Sequence, residues 1–510
     1  MMTNANKYDF DIVVAGGGVA GVSAALTAAR SGLKTLLLES QISLGGLATN
    51  GYVTGVAGLI DGNCKEWLDR LEAEGDLVRR PHQSSIDPEK GKFMLEMMLL
   101  EAGAKILYGA YVTGAVVKNK NIKEIICHTK SGRMVVSAGM FIDGTGDADL
   151  AAYAGVPYEV GSPEFNGYNM STTLAFRMAN VNMNVYGEAN RAWMAKEGGG
   201  NKVRDKFSLL SELEDEAVKN GDMPQFVFPT ALMYPVPGTT SDNADVCVMT
   251  THSFNCKNTD AEDLTRQIIE QHKQIAWMEK FFRKYVPGFD KARVTGVANI
   301  HGVRDSRRIV GEYVLKDTDV ACAVKFPDAV AQFPEFFDTH HPTNVRIGFM
   351  RHIHMDEPKA PAVCRPAECS DEMHPFGRPK GKYEARVNPL DYCEIPYRSI
   401  VPLKVDNLLV VGRCVSAEFH AIASVRVIAP SMSTGMAAAI AAALCKKEKI
   451  TPRELDGKLV RQAMIDQGVP LDNPPGGHWA AVKKELKGEF VVLSGDFVGV
   501  MTKDGIKTHM

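Results

Sequence analysis

Asp11-Ile-Val-Val-Ala-Gly16-Gly-Gly18-Val-Ala-Gly21 opens the decisive stretch of this chain, and Thr35-Leu-Leu-Leu-Glu39 followed by Gly45-Gly46 completes it. The apolar run Ile12 to Val14 reads as a buried strand, Val19 to Ser31 as a helix of small residues, and Leu36 to Leu38 as a second buried strand. Each glycine has its own task between them. Gly16 makes the tight turn, Gly18 lets backbone N–H groups approach a pyrophosphate, and Gly21 lets the helix pack closely on the strand. The helix N-terminus then faces the anion. Glu39 lies 18 residues beyond Gly21, where a carboxylate accepts hydrogen bonds from both hydroxyls of an adenosine ribose and repels a ribose 2′-phosphate. A glycine turn alone matches many loops; strand, turn, helix, strand and acid in this order specify a dinucleotide site.

At 510 residues the chain is long enough for two or three domains, and its 45% hydrophobic and 23% charged content is that of an ordinary globular protein. A net charge of −3 supplies no basic field for nucleic acid or an anionic membrane surface. Met1 to Asp9 is polar and lacks the apolar core of a secretory signal. The longest run of small apolar residues, Met436 to Cys445, stops at Lys446-Lys-Glu-Lys449, short of a membrane span. Ten scattered cysteines form no disulfide framework and no Cys-x-x-Cys, which removes a dithiol mechanism. These features together predict a cytoplasmic protein without nucleic-acid or membrane partners.

Along the chain, helices are expected over Lys65 to Glu74 and Lys92 to Ala102, and strands over Ala104 to Val117 and Val135 to Phe141. The last strand runs into Asp143-Gly-Thr-Gly146-Asp147-Ala-Asp149, an acidic, glycine-rich turn. Longer alternating runs follow, Ser171 to Met178 and Val246 to Thr250, as in an antiparallel sheet. A helix over Ala261 to Lys284 would bury Ile268, Ile269, His272, Ile275 and Ala276. A buried strand ending in glycine returns at Asn407-Leu-Leu-Val-Val-Gly412-Arg413. Thr451-Pro-Arg-Glu454 has the spacing of a capping box and predicts a helix from Thr451 to Gly468, with a short helix and a hairpin in the tail from Val469.

Three separated elements converge: the first motif, the Asp143–Asp149 turn, and Val410-Val-Gly-Arg-Cys-Val-Ser416 with Ser424 to Gly435. With Gly45 to Gly51, His301-Gly-Val-Arg-Asp-Ser-Arg-Arg-Ile-Val-Gly-Glu-Tyr313 and Ile395-Pro-Tyr-Arg-Ser399, they resemble the bacterial FAD-dependent oxidoreductase family of the glutathione-reductase-like superfamily, over residues 8 to about 468. The resemblance implies an α/β fold: a discontinuous Rossmann-like FAD-binding domain (1–160 and 395–450), a mixed α+β substrate domain (161–394), and a C-terminal helix and tail (451–510). It places FAD against Gly16, Gly18, Val19, Ala20 and Gly21, with the ribose at Glu39 and Ser40. The following loop contributes Gly45, Gly46, Ala48, Thr49 and Asn50, and Val112 flanks the adenine with backbone. Ribityl and phosphates lie against Asp143, Gly144, Thr145, Asp147, Gly412 and Arg413. A helix beginning near Pro430 or Ser431, with Met432 in its first turn, aims its positive end at the pyrimidine side of the isoalloxazine. Some relatives carry a flavin-linking histidine at the position of Gly46, so FAD here is noncovalent.

Flavin chemistry at N5 needs a group for the proton and another for the substrate. His301 is the candidate for the first, and Arg304 or Arg426 for the second, with His420 beside Arg426; the structural alternative for each arginine is an ion pair with Asp305, Glu312 or Glu418. His340, His341, His352 and His354, with Cys364, Cys369 and His374 downstream, match no structural zinc spacing, so no metal is assigned. Tyr392 and Tyr397 read as packed core residues rather than proton donors. The four tryptophans are too dispersed for a halogenase motif, and no arginine follows Asp143-Gly144 as in an aromatic hydroxylase. The expected activity is hydride exchange between flavin and a small polar substrate such as a hydroxy acid or sugar derivative. A flavin-dependent reductase of activated double bonds, and a flavin-stabilised binding or assembly protein, are the alternatives. No second glycine fingerprint appears, so the electron partner is external and unidentified; a homo-oligomer is compatible with the chain.

Overall fold

A computed structural model describes residues 8–79, 83–196, 209–225, 232–333, 337–344, 349–350, 353–355, 364–366, 383–385, 392–472, 489–494, 497–502 and 505–508. Ile12, Val13, Val14 and Ala15 are all 0% exposed, the burial expected of a strand covered on both faces. They belong to β1 (Tyr8–Ala15), which leads through α1 (Val19–Arg30) to β2 (Thr35–Glu39), fully buried along its length. Two helices, α2 (Gly62–Ala73) and α3 (Pro88–Glu101), precede β3 (Lys105–Tyr108), β4 (Tyr111–Lys118), β5 (Asn121–Thr129) and β6 (Gly132–Asp143). The sheet order is β3-β2-β1-β6-β5-β4, parallel across β3, β2, β1 and β6 and antiparallel in the β4–β5–β6 hairpins. The helix starts fall earlier than expected from periodicity. At α3 the cause is local: Asp87 accepts the Glu89 N–H at 2.8 Å, and Pro88 occupies the first helical position.

A second, antiparallel sheet is built from β7 (Phe176–Val181), β8 (Leu232–Pro235), β9 (Ala244–Met249) and, after α4 (Ala261–Tyr285), β10 (Arg293–Val297), in the order β8-β9-β7-β10. The residues before β7 do not continue the expected strand: Thr172 and Thr173 make single bridges to Ser253 and Gly302. The predicted buried face of α4 is only partly right: Ile275 is buried and Ile268 half-buried, but the rest of it is not. Ile269 is 51% exposed and His272 and Ala276 face solvent, whereas Gln267, Gln271, Gln274, Ile275, Met278, Phe281 and Phe282 are buried. Apolar periodicity misses a face whose amides are paid in hydrogen bonds: Gln274 Nε2 donates to His252 O at 2.7 Å, and Gln267 Oε1 accepts from Thr172 Oγ1 at 2.8 Å.

The chain then returns to the first sheet. β11 (Leu408–Val410) pairs in parallel with the end of β6, placing Val410 opposite Asp143. Beyond it come α5 (Phe419–Val425), α6 (Ile428–Glu448) and α7 (Gly457–Asp466). α6 begins at Ile428, before the expected Pro430 or Ser431, so proline sits inside its first turn, where it forfeits no helical bond. At 21 residues and mean hydropathy 1.5, α6 is long and apolar enough to cross a membrane, contrary to the count from its alanine run, yet 89% of its most apolar window is buried within the protein. Only half of the Thr451 box forms: Glu454 accepts from the Thr451 N–H at 2.8 Å and from Thr451 Oγ1 at 2.9 Å, while the Glu454 N–H donates to Thr451 O; Asp456 caps α7 by accepting from the Lys458 N–H. The tail forms three strands, Glu489–Ser494, Phe497–Thr502 and Gly505–Thr508, and the short helix expected before them lies outside the described residues.

α6 packs directly on α1. A methyl added at Gly435 would lie 2.0 Å from the Ala20 carbonyl oxygen, and one at Gly21 would lie 1.9 Å from that of Gly16. Ser23 Oγ ties the same contact by donating to Met432 O at 2.6 Å. Gly435→Ala should therefore destabilise the protein by about 2 kcal/mol or more through overpacking, read as a clear fall in Tm; an unchanged melting curve would contradict this packing.

Candidate flavin and substrate site

Three turns meet at the carboxyl ends of β1, β6 and β11, the place where open α/β sheets bind ligands. The Gly144 N–H donates to Ala15 O at 2.8 Å, and the Val411 N–H to Asp143 O at 2.9 Å. Gly16 has φ +95°, and a side chain there would strike Gly144. Gly45 donates to Gly17 O at 2.8 Å, which lays the Gly45-Gly46 turn beside the first glycine loop. A methyl at Gly18 would meet nothing nearer than 3.9 Å, so that loop opens on free space beside the N-terminus of α1 formed by Val19, Ala20 and Gly21. Gly412 has φ +72°, donates to Thr434 Oγ1 at 3.1 Å, and packs against Ala20 and Ser431.

The carboxylates of this region have different duties. Glu39 accepts from the Gly17 N–H at 2.5 Å, the Gln41 N–H at 2.6 Å and Ser40 Oγ at 3.0 Å, which leaves about one of its four lone-pair directions free. Asp143 is 0% exposed and accepts from Thr145 N–H and Oγ1 and from the Ala151 N–H. Burial pushes its carboxyl up to about 6, and all its bonds shape the turn rather than reach outward. Asp147 accepts from Ser306 Oγ at 2.6 Å and from Arg413 at 3.0 Å; Arg413 also donates to Val303 O. Arg413 thereby stitches the acidic turn to the 301–306 segment. Val112 pairs with Cys127 in the β4–β5 hairpin, while Ala48 and Thr49 are buried in the loop below Gly45. Met432 is buried, and Ser431 Oγ donates to Arg426 O at 3.1 Å.

Asn50 links this region to the second sheet. Its carbonyl accepts from the Asn299 N–H at 2.9 Å and the Ile300 N–H at 3.3 Å, while its side chain closes on Ser43. The next residue is His301. The Gln271 amide is oriented by Nε2, which donates to Thr172 O at 2.9 Å and Thr172 Oγ1 at 3.1 Å, so Oε1 is the atom that meets His301 Nε2 at 2.8 Å. His301 must donate from Nε2, which leaves a neutral ring with its lone pair on Nδ1. That atom is buried and has no hydrogen-bond partner among the described residues. Burial, reinforced by Arg304 and Arg413, lowers the His301 pKa to about 4, so the ring is neutral at pH 7.

Arg304 donates to Ser171 O at 2.6 Å and Thr173 Oγ1 at 2.8 Å and makes none of the ion pairs considered from sequence. Arg426 pairs with Asp338 at 2.9 Å, an acid outside that set, and Asp338 also faces His340 Nε2 at 3.3 Å. His340 stacks on His252 with ring centroids 5.8 Å apart. Arg307 pairs with Asp149, and Arg308 with Asp305, Gly161 O and Ala417 O; these two are structural. His420 turns away from a role beside Arg426: Nδ1 meets Thr339 Oγ1 at 3.1 Å and Nε2 lies 3.6 Å from Glu164, within an aromatic cage that includes Phe165 and Phe419. Sequence reasoning missed Gln271, His252 and Asp338. Only the i, i+4 glutamines 267 and 271 left a trace, as polar residues on one helix stripe.

His341 Nδ1 accepts from the Thr343 and Asn344 N–H groups, and among the described residues no three His, Cys, Asp or Glu side chains gather for a metal. His352, Cys369 and His374, and the side chains of His354 and Cys364, lie outside the described residues. Tyr397 is buried with its hydroxyl donated to Pro452 O at 2.9 Å, as a packed core tyrosine; Tyr392 lies beneath the Lys325 ammonium, 3.6 Å from its ring centroid.

A glycine loop opening on a helix N-terminus, a buried carboxylate ending β2 and a late strand returning to the same sheet edge are the features of a dinucleotide-binding flavoprotein. The match to the FAD dependent oxidoreductase family spans residues 11–464, so the chain belongs to that family and is an FAD enzyme. It is 30% identical over 164 residues to a thiamine thiazole synthase of Sulfolobus acidocaldarius, a match covering 29% of this chain and 60% of that protein. It is 27% identical over 156 residues to the tRNA uridine 5-carboxymethylaminomethyl modification enzyme MnmG of Wolinella succinogenes, covering 27% and 25%. The matched parts of these curated relatives thus fall short of two thirds of their length. Among solved structures, a geranylgeranyl bacteriochlorophyll reductase-like protein of Thermoplasma acidophilum aligns over 91% of this chain and 84% of its own, at 13% identity and TM-score 0.43.

Gln271→Glu should replace the amide acceptor with a carboxylate and raise the His301 pKa from about 4 by about 1–3 units, seen by ¹⁵N NMR of the labelled imidazole. An unmoved titration would show that Gln271 does not hold the ring.

Proposed function

We propose that the enzyme exchanges a hydride between its flavin and a small polar organic substrate, with His301 moving the proton and Arg304 holding the substrate. The observation that carries this reading is the buried, unpartnered lone pair of His301 Nδ1, on a segment tethered to the nucleotide loop through Asn50. FAD, when bound, supplies N5 as the hydride acceptor or donor. The residues that would hold it are Gly16, Gly18 and Val19 to Gly21 at the phosphates, Glu39, Ser40 and Val112 at the adenosine, and the Gly45–Asn50 loop. The turn at Gly144, Thr145 and Asp147, Gly412, Arg413 and the first turn of α6 complete the set. Gly46 offers no side chain for a covalent link.

In the oxidative direction, His301 Nδ1 accepts the substrate hydroxyl proton as the carbinol hydrogen leaves with its electron pair, and the carbinol becomes a carbonyl. The lowered pKa keeps His301 in its accepting form from neutral pH down to about 4. Gln271 holds the ring against rotation, and Asn50 fixes its distance from the nucleotide loop. The two electrons then leave to an external acceptor. The reductase of activated double bonds would use Arg304 as its proton donor, and burial with the neighbouring Arg426 lowers the pKa of that guanidinium.

His301→Gln should retain bound flavin while slowing anaerobic flavin reduction by an oxidisable alcohol substrate at least about 100-fold. The wild-type rate should fall on the acid side near pH 4 rather than near the ordinary histidine value. Equal reduction rates in wild type and variant would remove His301 from the reaction.

A further inference from the structure

We propose that this site takes a substrate with a single carboxylate, a hydroxy monoacid, and that Arg304 backed by Arg426 binds that carboxylate. The proposal rests on the reading of the His301 region as the reaction site and narrows its substrate class. Its basis is an unmatched guanidinium. Of the three guanidiniums here, Arg426 has Asp338, Arg308 has Asp305 and, at 3.8 Å, the exposed Glu159, and Arg304 has no carboxylate of its own. Arg308 lies with Asp305 and Arg426 with Asp338, at 3.5 Å and 2.9 Å. Arg304 has no carboxylate within ion-pair distance among the described residues; its bonds go to the neutral Ser171 carbonyl and Thr173 hydroxyl. The nearby Arg413 and Arg307 are already matched by Asp147 and Asp149.

The histidines do not alter this count. His301 and His340 are held neutral, their pKa values lowered to about 4 by burial and by the arginines, and burial lowers His252 well below its ordinary value; His420, raised by Glu164 and Asp317, sits with those acids. Arg304 is therefore the guanidinium left without a carboxylate, and a bound anion would supply one. Two of the five Arg304 N–H groups are used, leaving three for a carboxylate fork. Four more polar atoms of this region, Ser171 Oγ, Thr250 Oγ1, His252 Nε2 and Arg426 Nε, are buried without a partner among the described residues. A neutral sugar would leave the Arg304 fork without its anion, and the second carboxylate of a dicarboxylate would meet no second unpaired guanidinium beside it among the described residues. Arg304 and His301 lie three residues apart and feel each other's charge, so a carboxylate on one and a hydroxyl on the other belong to one small molecule.

Three probes without a carbinol hydrogen separate binding from turnover: 2-hydroxyisobutyrate, its neutral amide, and the dianion citramalate. Their affinities for the oxidised holoenzyme can be read from perturbation of the flavin absorbance. The acid should bind at least about tenfold more tightly than the amide and than citramalate. That preference should vanish in Arg304→Met and return in part in Arg304→Lys, both with flavin content retained. Equal binding of acid and amide, an unchanged preference in Arg304→Met, or no detectable binding of the acid would overturn the proposal. So would a variant whose flavin midpoint potential shifts while its acid preference is untouched, because the charge would then serve the flavin. Acid-selective binding with no flavin reduction by any hydroxy acid would instead refute the hydride reading and leave the carboxylate site standing.

Discussion

The close approach of α6 to α1 governs the rest of the structure. With only hydrogen at Gly435, the long apolar helix settles against the Ala20 carbonyl, and residues 431–435 reach Gly412 and the first turn of α1. Burial of α6 follows from that seat, which is why a helix apolar enough for a membrane lies inside this protein. The same seat brings the glycine turns of β1 and β11 and the start of α6 to one edge of the sheet. Sequence far from the first motif thus finishes the site that the motif begins.

Around that edge, the second sheet contributes its chemistry through a short connection rather than a broad surface. Asn50 and Arg413 grip the two ends of the 299–304 segment, and Gln271 fixes the ring of His301 from the opposite side. The segment is therefore held by hydrogen bonds from three separate elements. Such support is what a proton-transfer group needs, since small displacements of a reacting group cost rate heavily. It also explains a helix that buries three glutamines: α4 gives up part of an apolar face to orient backbone and imidazole groups.

The first motif was legible because backbone geometry forces its residues: only glycine tolerates the turn at Gly16 and the approach at Gly21. The parallel return of Leu408–Val410 was legible for a similar reason, as a fully buried strand ending in glycine. Legibility fell where function depends on pairs remote in sequence. Asp338 and Arg426 are 88 positions apart, and nothing in either segment announces the other. α4 misled because its buried face is polar, and periodicity counts only apolar residues. At Thr451 only half of the box closes, with Glu454 accepting from the Thr451 N–H, and the helix starts at Gly457 under the Asp456 cap instead. His420 shows the converse: its place beside Arg426 in sequence suggested shared chemistry, while the fold turns it to Glu164 and Thr339.

The central claim is that a flavin bound at this edge exchanges a hydride with a small organic molecule at the His301 side. Anaerobic absorbance spectroscopy of the purified holoenzyme tests it directly, with hydroxy acids, sugars, activated alkenes and reduced nicotinamides added in turn. The account predicts that the flavin bands bleach with a hydroxy acid and with neither neutral sugars nor nicotinamides alone. Protein purified without flavin, or flavin that no organic substrate reduces and that, once reduced, no organic acceptor reoxidises, would contradict it.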